Sequence, residues 1–249
     1  MVRQNSPECT ATTLHLLAMV TMLCDHMGLT LFPGLLWMRC VGRIAFPIFA
    51  FLLVEGYFHT RSLPRYALRL LLFALLSEIP FDLMVSGRIY APWSQNVLWT
   101  LLMGLGLIFL LEQVKQVKNL WLRLLGVGFS VLLAAILGEI LSADYGSAGL
   151  FTILVFYCFR GRQWYHFLGQ FLGLAYIHTR LLSSHILILP VAGLTVSLPM
   201  QALAVLALIP LWLYRGNSGH KSKALRTVYY FFYPAHMFIL SLLRVILHP

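Results

Sequence analysis

The feature that most constrains this chain is a succession of long apolar stretches, such as Leu14–Leu31 and Phe46–Phe58, in which polar and apolar residues do not alternate. A helix of about 20 apolar residues matches the hydrocarbon thickness of a bilayer. Strands that face lipid are shorter and alternate in polarity. Within hydrocarbon, a helix satisfies its own backbone N–H and C=O groups. The chain is 60% hydrophobic and 10% charged, whereas a soluble domain carries roughly 25% charged residues. The expected fold class is therefore all-α: a polytopic integral membrane bundle of about nine or ten transmembrane helices. Loops are short, and no linker, repeat or low-complexity tract interrupts residues 1–249, so one domain is expected.

Hydropathy places spans at Thr13–Leu31, Val41–Phe58, Tyr66–Val85, Val97–Glu112, Leu120–Leu141, Ala148–Phe159, Tyr165–Ile177 and Val228–Leu247. Pro190, Pro199 and Pro210 break the apolar stretch from Leu181 to Tyr214. It reads either as one span plus a re-entrant segment or as two spans. Several spans are short, as expected of tilted or broken helices packed inside protein. Positive charge sets the orientation. With the N-terminus cytoplasmic, Arg3, Arg61, Arg65, Arg69, Lys115, Lys118, Arg123, Arg160 and Arg162 fall inside. Arg215, Lys221, Lys223 and Arg226 join them if Leu181–Tyr214 contributes one full crossing. The expected location is the cell membrane, with lipid as a partner.

The formal net charge of +10 reads as loop charge that orients the bundle. No Lys/Arg-rich block or RNA-binding motif is present, so nucleic acid is not an expected partner. Cys9, Cys24, Cys40 and Cys158 show neither C-x-x-C nor metal spacing, and no metal site is expected. Cys24 beside Asp25 reads as a small buried hydrophobe. The first apolar run meets Asp25 and His26 before any small-residue cleavage site, so it reads as a retained span and not as a signal peptide. Walker, GxGxxG, GxSxG and HExxH motifs do not occur.

Ionisable residues in spans are costly and mark functional sites by default. With this orientation Asp25, Glu78, Asp82, Glu139 and Asp144 lie near one level at the outer face. Arg43, Gln95, Asn96 and Thr100 lie at the same level. Such convergence points to a polar cavity, although polar residues also serve as interhelical glue. Asp25 and His26 are adjacent and point about 100° apart on a helix. The favoured arrangement pairs Asp25 with Arg43 and turns His26 toward a substrate; the reverse is also compatible with the spacing. Glu78 and Asp82 are four residues apart, with Pro80 between them expected to bend the helix. On the inner side His59, Arg61, Arg65 and Arg69 cluster, with Pro64 suited to a first helical turn. They serve either as plain inner anchoring or as an anion site for a phosphorylated cytosolic donor such as a coenzyme A. Pro234 is expected to kink the last span, and His236 then either lines the cavity or is a satisfied core histidine.

These residues fall in motifs. Met22-Leu23-Cys24-Asp25-His26, Gly42-Arg43-Ile44-Ala45-Phe46-Pro47-Ile48-Phe49-Ala50-Phe51 and Val54-Glu55-Gly56-Tyr57-Phe58-His59-Thr60 resemble the TraX family. So do Ser77-Glu78-Ile79-Pro80-Phe81-Asp82, Gln95-Asn96-Val97, Ala143-Asp144-Tyr145-Gly146 and Phe232-Tyr233-Pro234-Ala235-His236. The resemblance covers nearly the whole chain. The family is named for a membrane protein that acetylates the N-terminus of a conjugative pilin, and it looks related to transmembrane acyltransferases fed by cytosolic acyl-CoA. The resemblance therefore implies an acetyl-CoA-dependent N- or O-acetyltransferase. Its acceptor would be an amine or hydroxyl of a peptide N-terminus or glycan at the outer side, and an oligomer is compatible with it. The catalytic role falls on His26, as general base or transient acyl carrier, with Asp25 or Glu78 orienting the imidazole. Arg43, Asp82, Asn96, Asp144 and His236 fall on motif positions as substrate-binding or oxyanion candidates. Arg61, Arg65 and Arg69 would face the donor phosphates. Two other classes stay open: a proton-coupled transporter, since membrane acids and histidines also build proton relays, and a non-enzymatic membrane component of a conjugation or secretion machine.

Overall fold

The computed structural model describes residues 9–182, 185–191, 194–219 and 222–247. Arg3, His220, Lys221 and His248 lie outside the described residues, as do the side chains of Lys223 and Arg226.

The first helix, α1 (Ala11–Thr30), starts where a cap is available. Thr10 Oγ1 accepts from the Thr13 N–H, and Thr13 Oγ1 accepts in return from the Thr10 N–H. A short α2 (Leu36–Gly42) follows, then α3 (Ala45–His59). The expected single span from Val41 to Phe58 is thus broken at Arg43–Ile44, and α2 adds a half-helix ahead of it. Next come α4 (Leu63–Ser86), closed by Gly87 in the left-handed region (φ 71), and α5 (Val97–Lys115), capped by Asn96. The antiparallel α6 (Leu120–Ile140), α7 (Gly146–Cys158) and α8 (Trp164–Tyr176) follow. Pro64 sits in the first turn of α4, and α4 continues through Pro80.

The stretch from Leu181 to Tyr214, expected as one span plus a re-entrant segment or as two spans, is not continuously helical. After a π-helical turn (Ile177–Leu181) the chain forms an antiparallel hairpin, β1 (Ile186–Val191) with β2 (Leu194–Pro199), in the register Ile186↔Pro199 to Val191↔Leu194. It then returns through a 3-10 helix (Met200–Ala207) and α9 (Leu208–Leu213). Ile, Val and Thr favour a pleated strand, and proline withholds a helical N–H, so this composition yields a hairpin where hydropathy reads as helix. The last helix, α10 (Lys223–Leu247), runs through Pro234.

Among the described residues, four helical stretches are long and apolar enough to cross a membrane: Leu36–His59, Val97–Lys115, Leu120–Ile140 and Thr227–Leu247. Gly146–Cys158 and Met200–Leu213 are shorter apolar helices. The chain is a helical membrane protein. Its core lies among α3, α5 and α7, where Ile48, Ile108, Ile153 and Phe156 are almost fully buried. α6 packs on the outside and exposes Leu125, Phe129 and Leu132, an apolar face suited to the bilayer.

The bundle has two distinct ends. At one, Glu55 on α3 pairs with Arg160 at 2.7 Å, Tyr157 donates to Glu112 at 2.7 Å, and Arg162 donates to the Tyr214 carbonyl at 2.7 Å. Arg61, Arg65, Lys115, Lys118 and Arg123 belong to the turns of this basic end. At the other end Gln95 bridges to Ala143, tying the α4–α5 loop to the α6–α7 turn. There α2 lies close against α1 because two contacts lack a side chain. A Cβ on Gly28 would stand 2.9 Å from the Met38 Cβ, and one on Gly42 would overlap the Asp25 side chain. Gly42→Ala is expected to lower stability by about 1–3 kcal/mol, as overpacking does. Gly34→Ala, where an added Cβ meets nothing within 4 Å, is expected to leave stability unchanged. Thermal unfolding of the two variants in detergent checks the difference.

Candidate functional site

Two cavities occupy the two ends of the bundle. The first, of about 400 Å³, lies at the α1 C-terminus and includes Asp25, His26, Arg39, Arg43, Asp144 and Tyr145 in its wall. The second, of about 430 Å³, lies at the basic end between the starts of α1, α4 and α10, and includes His15, His59, Tyr66 and Arg69. Phe49 on α3 and Tyr233 on α10 line both. One turn of α1 separates Met19, on the basic-end cavity, from Met22, on the other.

The first cavity is organised by Asp25. Its carboxylate accepts from Arg39 Nη1 at 2.7 Å through one oxygen and from Arg43 Nη2 through the other. Arg43 Nε also donates to the Arg39 carbonyl at 3.0 Å, at the break between α2 and α3. Asp25 and Arg43 are 8% and 7% exposed, so neither charge is supported by bulk water. The pairing of Asp25 with Arg43 was legible in the sequence. Arg39 was not, because its position reads as a loop charge until α2 folds back onto α1.

His26 projects from the neighbouring face of α1. Its Nδ1 lies 2.8 Å from Nε2 of His236 on α10, and the rings are parallel within 8°. His236 Nδ1 lies 2.7 Å from the Phe232 carbonyl, and the Phe232 ring stacks on the imidazole at 4.6 Å. His236 is 5% exposed and is not part of the cavity wall. It touches His26 and is not presented to a substrate, which corrects its placement among substrate-binding or oxyanion groups.

Several motif residues lie at the expected depth but outside this cavity. Glu78 accepts from Trp99 Nε1 at 2.6 Å and from Asn96 Nδ2. Asn96 Nδ2 also donates to the Ala74 carbonyl at 2.9 Å, while its Oδ1 caps α5. With its amide fully occupied and the residue 0% exposed, Asn96 is a latch between α4 and α5 and is not available to an oxyanion. Asp82 accepts from the Ala91 N–H at 2.8 Å and holds the α4–α5 loop. Neither Asp25 nor Glu78 hydrogen-bonds His26 among the described residues; His236 takes that position.

The Ala143-Asp144-Tyr145-Gly146 turn is strained where it meets the cavity. Tyr145 has φ 66 and Ser142 φ 48, a region that non-glycine residues enter at a cost of order 1–3 kcal/mol. Gln95 stabilises it from both sides, donating to the Ser142 carbonyl at 2.9 Å and accepting from Asp144 N at 2.8 Å. Thr100 donates to the Asp144 carbonyl. The left-handed Tyr145 stacks on Phe46 at 4.0 Å and brings Asp144 to the cavity wall.

At the basic end only Arg69 of the three predicted donor-binding arginines lines the cavity; Arg61 and Arg65 are exposed and outside it. Arg69 Nε donates to the Tyr230 hydroxyl at 2.9 Å, and its guanidinium stands 5.8 Å from the Tyr66 ring. His15, which carried no signal in the sequence, stacks on Tyr229 at 4.6 Å. Among the described residues no group of three or more His, Cys, Asp or Glu side chains is placed to hold a metal ion.

Removing the charge of Asp25 leaves two guanidiniums facing each other in a site with little water. Asp25→Asn is expected to destabilise the protein by about 3–5 kcal/mol, the cost of breaking a buried pair. Arg39→Gln is expected to cost less, because the Arg39 side chain is 23% exposed. Unfolding midpoints in detergent check the ranking.

Comparison with known proteins agrees with the motif pattern. The chain is 28% identical over 257 residues to a probable fimbrial assembly protein FimC, serogroup H1, of Dichelobacter nodosus, covering 96% of this chain and 98% of that protein. No solved structure matches. The family model described as TraX protein matches residues 10–244, and the chain belongs to the TraX family.

Proposed function

We propose that the protein is a membrane-embedded acyltransferase that takes an acetyl group from cytosolic acetyl-CoA and places it on an amine or hydroxyl at the opposite side. The observation that carries this reading is the pair of cavities at opposite ends of one bundle that share Phe49 and Tyr233 in their walls. A donor and an acceptor that never share a compartment need such an arrangement.

The basic end faces the cytoplasm by the positive-inside rule, which puts the N-terminus inside as well. Coenzyme A phosphates meet Arg69 at the mouth, with Arg61 and Arg65 contributing long-range attraction from the surface. The pantetheine arm runs along the tyrosine-lined cavity toward Phe49 and Tyr233. On the far side His26 Nε2 takes the proton of the acceptor N–H or O–H as that atom attacks the thioester carbonyl. The C–S bond breaks, and the thiolate recovers the proton from His26 and leaves as the free thiol. Arg43 or Arg39 faces the developing oxyanion. The similarity to a probable fimbrial assembly protein favours a peptide N-terminus over a glycan as the acceptor. It equally fits a non-catalytic role in fimbrial assembly, and the experiment below separates the two.

In proteoliposomes loaded with candidate acceptor peptide and supplied with radiolabelled acetyl-CoA outside the basic end, wild type is expected to transfer label. His26→Ala is expected to lose roughly 10²–10⁴-fold in kcat with unchanged folding. Arg69→Ala is expected to raise the KM for acetyl-CoA roughly tenfold, the worth of one charged hydrogen bond. Undiminished turnover by His26→Ala removes His26 from the chemistry. Absence of acetyl-CoA binding and transfer in wild type leaves the assembly role.

A further inference from the structure

We infer that His236 is a positioning residue that holds His26 in one tautomer, with the proton on Nδ1 and a bare Nε2 presented to the acceptor-side cavity. The inference stands on hydrogen-bond geometry. Its catalytic consequence rests on the acyl-transfer reading above, but the tautomer itself does not.

The chain of contacts starts at a group whose role is fixed. A backbone carbonyl can only accept. His236 Nδ1 lies 2.7 Å from the Phe232 carbonyl, so this nitrogen carries a hydrogen. A neutral imidazole protonated at Nδ1 has a lone pair at Nε2. That Nε2 is 2.8 Å from His26 Nδ1, which must therefore donate. His26 then carries its single hydrogen on Nδ1, and its Nε2 is left as an acceptor with no hydrogen bond to any described residue. The rings meet edge to edge, since parallel planes with centroids 5.0 Å apart bring the two nitrogens to 2.8 Å only in that arrangement. The direction of N–H to lone pair is thus close to straight.

The site does not offer His26 another orienting partner. Both oxygens of Asp25 are occupied by Arg39 and Arg43. Phe232 pins His236 twice, through its carbonyl and through its ring. Helix α10 thereby acts as a rigid splint, and the base is preset before any substrate arrives. A hydrogen-bond partner that fixes the tautomer of a metal-binding histidine matters on the order of 10–100-fold, and an effect of the same order is expected for a histidine acting as a base.

The test uses full-length protein in lipid nanodiscs with ¹⁵N-labelled histidine. The His26 signals, assigned by their loss in His26→Ala, are expected to show a protonated Nδ1 and an unprotonated Nε2. His236→Gln offers an amide oxygen at the same reach and is expected to keep this tautomer. His236→Ala removes the acceptor, and His26 is expected to shift to a mixture with protonated Nε2. In the transfer assay, kcat is expected to fall roughly 10–100-fold in His236→Ala, to be restored in His236→Gln, and the KM for acetyl-CoA to stay the same. A protonated Nε2 in the wild type, or an unchanged His26 spectrum in His236→Ala, overturns the inference. If His236→Ala fails to fold, the wild-type and His236→Gln spectra still decide it. The expected spectra in a protein that transfers no acyl group uphold the tautomer and sink only the acyl-transfer reading.

Discussion

The cavity at the C-terminal end of α1 depends on one carboxylate held between two guanidiniums. An acid in the last turns of α1 carries a heavy desolvation cost in the hydrocarbon layer, and so does each arginine. Together Asp25, Arg39 and Arg43 offset most of that cost, and in doing so they decide geometry. Arg39 comes from α2 and Arg43 from the α2–α3 break, so satisfying Asp25 forces the half-helix α2 down onto α1. Glycines at 28 and 42 make the approach sterically possible. With Asp25 turned toward α2, the roughly 100° step along the helix turns His26 toward α10.

Polar side chains gathered at one depth of this bundle do two different jobs. Asp25, His26, Arg39, Arg43 and Asp144 face open space. The side chains of Glu78, Asp82 and Asn96 bond backbone groups, Trp99 and one another, the backbone of Gln95 pairs with the 142–144 turn, and together they fix the loop and turn that frame that space. The framing residues are as buried and as polar as the others. What distinguishes them is that they do not line the cavity. The strain at Ser142 and Tyr145 is held by this same frame.

The motif residues that emerge with new partners illustrate where one-dimensional reasoning stops. His236 belongs with His26 across 210 positions of sequence, a contact that exists only because α10 returns to pack beside α1 and α4. Arg39 and His15 stood outside the predicted site because each has an unremarkable neighbourhood along the chain, and Tyr145, though inside a motif, was not singled out beside Asp144. The hairpin at Ile186–Pro199 was hidden for a different reason: hydropathy alone does not separate a short apolar strand from a buried helical segment.

By itself the sequence determined that the chain is helical and lies in a membrane, because a bilayer core leaves a 60% hydrophobic chain with such apolar runs almost no other way to satisfy its backbone. It also determined the segregation of basic residues to one end and the presence of costly ionisable groups at the other, both properties of composition against position. Only the tertiary structure decided which of those groups share a cavity, which are latches, and that His26 meets His236. Those outcomes depend on directions around helix axes and on contacts between distant segments, and a linear pattern of residue types carries neither.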